Sequence, residues 1–215
     1  MSVDPTRHDA VEELERAHED LGLVGIKLGP IYQGTSPLNP LTMRVFAAAE
    51  RRGLPILIHQ GAIFANAGRL VDANPLLLDD VAIAFPDLKI VIAHLGHPWI
   101  EETVVVMRRN ANVYADTSAI ANRPTMLARG LAAAKEYGVL HKVLFGSDSP
   151  MVSAESSADG LRRVVADLGR ISLTTVTDTE LHDILHRPTF ELLGLPDPGP
   201  AVSAPFHTTI KESAS

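Results

Sequence analysis

The sequence predicts an α/β fold of about five parallel strands flanked by helices, and three observations carry that prediction. Short runs rich in branched apolar residues recur along the chain, segments of helical period separate them, and glycine or proline marks most of the junctions. The strand candidates, at about 24–28, 55–59, 89–94, 112–117 and 142–147, are mostly apolar on both faces. A parallel sheet covered by helices requires that pattern.

Asp9 to Leu21 places Val11, Leu14, Ala17 and Leu21 at helical spacing, with Gly22 set to end the helix. The run LVGIKLG at 23–29 is the first strand region, and GPIYQGTSPLNP is a turn-rich loop. Asn39 then reads as an N-cap with Pro40 in the first helical position, and Gly53 closes that helix. LPILIH at 54–59 leads through a Gly/Ala/Asn loop to a helix from Pro75 that stops before Pro86, and KIVIAH follows at 89–94. The cycle repeats with a helix from Trp99 to Arg109, NVYADTS at 112–118, a helix from Pro124 to Tyr137 and KVLFGSD at 142–148. Helices near Ser156–Leu168 and Asp178–Leu193 complete one domain over 1–195, and the Pro, Ser and Ala content of 196–215 predicts a loose tail.

Composition narrows the function classes. With 215 residues, 46% of them hydrophobic, the chain can bury a sizeable core. Net charge is −7 and the basic residues are scattered, which argues against nucleic acid or an anionic membrane as partner. No apolar run approaches the roughly 20 residues that span a bilayer, and the polar, acidic N-terminus lacks a signal-peptide pattern. The absence of cysteine excludes disulfides, thiolate ligands and thiol catalysis, and it fits a cytoplasmic setting.

Three strands end in groups that bind metal or move protons: His59 after LPILI, His94 after KIVIA and Asp148 after KVLFGS. The C-terminal ends of parallel strands share one side of a sheet, where α/β folds build their sites. Side-chain alternation places His59 with Leu57, His94 with Ile92 and Ile90, and Asp148 with Gly146 and Leu144, all toward the interior. Taken singly, each histidine could be a satisfied structural residue and Asp148 a turn or cap. Three such groups at equivalent places make a metal-centred site the leading reading. Lys27 also ends a strand, where it could bind a substrate carboxylate or remain solvated. His97, just before Pro98 and a helix start, packs the loop or supports the site; Lys27 and His97 are the candidate substrate contacts.

The segments GIKLGPIYQ, LPILIHQG, LDDVAIAFPDLKIVIAHLGHPW, NVYADTS and LFGSDSP together resemble the amidohydrolase-related branch of the metal-dependent hydrolases, the branch that includes aminocarboxymuconate-semialdehyde decarboxylase. The likeness runs from about residue 3 to residue 195. It implies a (β/α)8 TIM-type barrel, here partial, with a divalent metal, usually zinc and alternatively manganese, at its mouth. By position His59 resembles the metal-ligating histidine of the fifth strand. His94 resembles the histidine of the sixth, which acts as acid/base or orients the metal-bound water, and Asp148 the aspartate of the eighth that binds the metal or its water. The implied chemistry is a metal that lowers the pKa of water from about 15.7 to about 7, with His94 or Asp148 as the catalytic group that shuttles the proton to the substrate. Hydrolysis of small carboxylated or cyclic substrates and non-oxidative decarboxylation both use it.

One departure matters. The family's first strand ends in Glu/Asp/His-x-His, and none of the strand candidates here ends in such a motif; by position SVDP resembles the end of the third strand. The expectation is a barrel lacking three strands, with weak metal binding and poor turnover. Its interior would be lined by Leu57, Ile90, Ile92 and Leu144. Leaving on the order of 1,000 Å² of that surface wet would forfeit about 25 kcal/mol, against a net domain stability of about 5–15 kcal/mol. Upstream sequence, a barrel-completing partner or second copy, or a non-catalytic binding role would each account for the chain.

Overall fold

The computed structural model describes residues 1–63, 68–197 and 199. Five parallel strands pair in chain order into one sheet: β1 (Ile26–Leu28), β2 (Ile56–Ile58), β3 (Ile90–Ile92), β4 (Val113–Asp116) and β5 (Val143–Leu144). The helices are α1 (Ala10–Glu19), α2 (Pro40–Arg51), α3 (Leu77–Ala84), α4 (Ile100–Arg109), α5 (Pro124–Glu136), α6 (Ala154–Ile171), α7 (Asp178–His186) and α8 (Thr189–Leu193). Sequential order without reversal is the arrangement of a barrel wall, since a doubly wound sheet reverses at a switch point. Among the described residues no helix is long and apolar enough to cross a membrane. Part of the loop after β2, residues 64–67, lies outside the described residues, as does the expected tail except for 196, 197 and 199.

Local chemistry accounts for the element ends. Asn39 Oδ1 accepts a hydrogen bond from the Leu41 amide at 2.9 Å, and Pro40 occupies the first helical turn, where its missing N–H costs nothing. Thr177 and Glu180 form a reciprocal capping box at the start of α7. The backbone bonds Met1 amino group to Gly25 carbonyl (2.6 Å) and Lys27 amide to Met1 carbonyl (2.7 Å) lay the first residues along the free edge of β1.

Register decides which face each residue serves. Ile26, Ile56, Ile90 and Val113 form one row across the sheet, and Leu28, Ile58, Ile92, Ala115 and Val143 another. All belong to the main core shared with α1–α7, so they face the helices. The row between them, Lys27, Leu57, Val91 and Tyr114, faces inward. This corrects the placement of Ile90 and Ile92 in the interior. Alternation counted back from His94 fails because the chain leaves strand geometry at that residue.

The helix expected over Asp178–Leu193 is in fact two. Pro188 lacks an N–H and its ring collides with the preceding turn, so α7 stops at His186. The break carries α8 across the inner face, where Leu193, with Leu192 and Leu195, packs on Val91, Tyr114 and Leu144. The interior is therefore partly covered: Val91 is 5% exposed, while Leu57 keeps 37%. The last strand is also shorter than its apolar run, ending at Leu144 before the chain turns toward Asp148.

Candidate active site

A cleft of about 420 Å³ opens at the carboxyl ends of the strands, and Tyr32, His59, His94, His97, Arg123 and Asp148 line it. A larger cleft, about 710 Å³, lies between Phe145 and the α7–α8 segment. Its lining is mainly apolar and includes none of the strand-end groups, so the chemistry belongs to the smaller one.

His59 is the first residue past β2, and its amide donates to Leu28 carbonyl at 2.8 Å, which keeps it in the sheet's register. Its ring stands edge-on to Tyr32 (centroids 4.9 Å apart) and to His94 (5.1 Å). Burial, then the positive charge of His94 and of Lys27, lowers its pKa from 6.5 to about 4. The imidazole is consequently neutral near pH 7. Its Nε2 is buried and makes no hydrogen bond. An orphaned imidazole nitrogen in a protein interior costs free energy unless something binds it.

His94 reaches the cleft by a different route. His94, Leu95 and Gly96 all take the left-handed conformation, with φ of 59°, 47° and 63°. That turn swings the ring out of the helix-facing row that strand alternation assigns to it, while Leu95 enters the main core. The turn is held from β4: Asp116 Oδ1 accepts the His94 amide at 2.9 Å. The ring nitrogen Nδ1 lies 3.0 Å from Ser118 carbonyl and 2.7 Å from Ser118 Oγ. Only glycine fits at position 96, because a Cβ would fall on Thr103 Oγ1 and within 2.7 Å of Pro75 Cγ.

His97 both joins two loops and lines the cleft. Its carbonyl accepts the Ala62 amide at 2.8 Å, tying two loops together. Its ring lines the cleft, where Nε2 faces the Arg123 guanidinium at 3.2 Å. The guanidinium can only donate, so Nε2 is the acceptor of that bond; burial, then Arg123, lowers the His97 pKa. Asp148 takes φ 70°, and its carbonyl accepts the Met151 amide at 2.9 Å. It is thus a turn residue and a cleft residue at once. Lys27 is placed otherwise: it sits on the inner face level with Leu57, below His59, and is not among the residues lining the cleft. Surrounding protein lowers its pKa, opposed by Asp116 and then Asp148.

Three residues that sequence reasoning left unnamed belong here. Arg123 lines the cleft, and Asp116 and Ser118 hold His94. NVYADTS carried a usable signal, two polar groups at the carboxyl end of an apolar strand, the same pattern that singled out His59.

The site offers His59 and Asp148 as a nitrogen and an oxygen donor, and the orphaned Nε2 fits a metal ligand. Among the described residues no three His, Cys, Asp or Glu are arranged to hold a metal between them. The donor set therefore fits a divalent ion in part.

Known proteins share this fold. The amidohydrolase family profile matches residues 1–195. A dihydroorotase of Helicobacter pylori is 34% identical over 115 residues, which span 49% of this chain and 32% of that protein. An uncharacterised TIM-barrel protein of Bordetella bronchiseptica superposes with TM-score 0.67 at 24% identity, covering 90% of this chain and 65% of that one. A dihydroxybenzoic acid decarboxylase of Polaromonas, solved with manganese and 2-nitroresorcinol, superposes with TM-score 0.59 at 19% identity, covering 86% and 65%. The chain thus spans about a third of its curated relative and about two thirds of these barrels.

Proposed function

The chain belongs to the amidohydrolase family, and from that premise we propose that it works as a metal-dependent hydrolase on a small carboxylated or cyclic substrate. One observation carries the reading: the unpartnered Nε2 of His59 belongs to the same cleft as His94 and Asp148. His59 and Asp148 would hold the ion, a donor pair that suits zinc or manganese. When bound, such an ion supplies Lewis acidity toward water or a substrate carbonyl. His94 takes up and returns the proton at its cleft-side nitrogen. Arg123 at the wall, held by His97, supplies positive charge for a substrate carboxylate, and Lys27 adds to the field from the inner face below the cleft.

Catalytic zinc keeps about three protein ligands, so in this reading the remaining donors come from beyond these residues, whether upstream sequence, a barrel-completing partner or a second copy of the chain. The cysteine-free composition agrees with a cytoplasmic setting. Carboxy-lyase chemistry is the second reading, favoured by the likeness to a manganese-bound decarboxylase. A non-catalytic binding subunit is a third, favoured by the incomplete donor set.

Titration of the purified chain with zinc and with manganese, followed by assay on lactones and amides and on aromatic acids for released carbon dioxide, separates these. His59→Ala and Asp148→Asn are each expected to weaken metal binding by at least about tenfold, since even supporting groups around a metal cost about 10–100-fold. Turnover should disappear with the metal. Binding and turnover unchanged in both variants would overturn the assignment. Metal binding with no product from either panel would leave the binding subunit.

A further inference from the structure

Ser118 links the His94 ring to the buried carboxylate of Asp116. Asp116 is 7% exposed at the end of β4, and its Oδ1 accepts three donors: the His94 amide (2.9 Å), the Ser118 amide (2.9 Å) and the Ser118 hydroxyl at very short range. A serine hydroxyl carries one proton. With that proton given to Asp116, Ser118 Oγ can only accept from His94 Nδ1, 2.7 Å away. Ser118 carbonyl, 3.0 Å from the same nitrogen, can only accept as well. The opposite arrangement, a lone pair on Nδ1, would face the carbonyl lone pairs directly and force the hydroxyl away from a buried carboxylate.

We infer that Asp116 and Ser118 are positioning residues that hold His94 in its Nδ1–H tautomer, leaving Nε2 as the basic nitrogen. In the neutral ring Nε2 carries the lone pair and can take a proton from water or substrate. Once it has done so, the Nδ1–H stays bonded to Ser118 and the Asp116 carboxylate lies one hydroxyl away from the new positive charge. The relay also explains a glycine in a different motif. A Cβ at Gly146 would lie 3.1 Å from Ser118 Cβ and 3.4 Å from Asp116 Cβ and Cγ, so the Gly of LFGSD leaves room for the pair. The inference rests on the reading of His94 as the proton-handling group for its consequence alone, because the tautomer can be read without metal or substrate.

The test is long-range ¹H–¹⁵N correlation of the histidine rings in the ¹⁵N-labelled chain at about pH 8.5, above the ordinary imidazole pKa of about 6.5. The His94 signals are assigned by their loss in His94→Gln. Expected in the wild type is a single tautomer with Nδ1 protonated and Nε2 bare. Ser118→Ala, which removes one acceptor and keeps the carbonyl, should shift the tautomer ratio toward Nε2–H by about tenfold, the scale of one hydrogen bond. Asp116→Asn, which frees the hydroxyl proton from a charged acceptor, should shift it in the same direction. Amide spectra matching the wild type show that a variant is folded. A wild-type His94 protonated on Nε2, or a Ser118→Ala spectrum with an unchanged ratio in the folded protein, would overturn the inference. Loss of the hydrolase reading with the Nδ1–H tautomer intact would leave it standing.

Discussion

Gly96→Ala should be among the most damaging single-methyl additions available to this chain. The residue has φ +63°, and the new Cβ would land on Thr103 Oγ1 and 2.7 Å from Pro75 Cγ. Left-handed backbone costs a non-glycine residue roughly 1–2 kcal/mol, and forcing a methyl into packed surroundings costs about 1–3 kcal/mol more. The expected loss is about 2–5 kcal/mol, a large share of the roughly 5–15 kcal/mol that holds a domain together. Gly53 provides the control: its φ is +64° and nothing lies within 4 Å of its Cβ position, so Gly53→Ala carries the strain without the collision. Urea unfolding of both variants, with slopes compared to confirm a common transition, isolates the packing contribution. Thr103→Ala removes the nearest obstruction, at the cost of about 1 kcal/mol for the hydrogen bond its hydroxyl donates to Trp99 carbonyl. The Gly96→Ala/Thr103→Ala double variant should therefore be more stable than the sum of the singles predicts, by about 1 kcal/mol or more. Equal losses at Gly96 and Gly53 would refute the steric account of the turn that presents His94.

Two further perturbations test the electrostatics. His59 has a folded-state pKa of about 4 against 6.5 unfolded, so the unfolded chain binds more protons between those values. Stability is fully present above pH 6.5 and falls as pH drops toward 4, by at most about 3 kcal/mol for this group. His59→Gln should flatten that part of a stability–pH profile, and an unchanged slope would contradict the buried, neutral imidazole. Lys142 is 9% exposed, and its ammonium donates to Met107 carbonyl (2.8 Å) and Asn110 carbonyl (2.7 Å) at the end of α4. Lys142→Met strips a helix C-terminus of both partners and should cost about 2–4 kcal/mol in chemical denaturation; a change under about 0.5 kcal/mol would mean that water replaces the ammonium freely.

The order of strands and helices was readable because each segment states its own period. LPILIH and KIVIAH are branched and apolar over the length of a strand, and Asn39–Pro40 announces a helix start in two residues. His59 was placed well by alternation, since β2 keeps strand geometry up to Ile58 and His59 still bonds to Leu28 carbonyl. His94 was not. Alternation presumes an extended chain, and three successive left-handed residues break that presumption one position after Ala93. The helix over 178–193 was misread because Pro188 weighs little against a continuous amphipathic pattern until the surface on which α8 lands is known.

Local pattern along the chain is enough to establish parallel βαβ units and the arrival of His59, His94 and Asp148 near the carboxyl ends of strands. Hydrophobic period and turn chemistry act over a few residues, and no distant contact is needed to read them. Whether those groups meet, which ring nitrogen faces the cleft, and what covers the inner face depend on residues far apart in sequence. Ser118 is 24 positions from His94, and Leu193 is 49 from Leu144. Such contacts form when the sheet brings neighbouring strands into register, so only the assembled structure shows Asp116 and Ser118 as the support of His94.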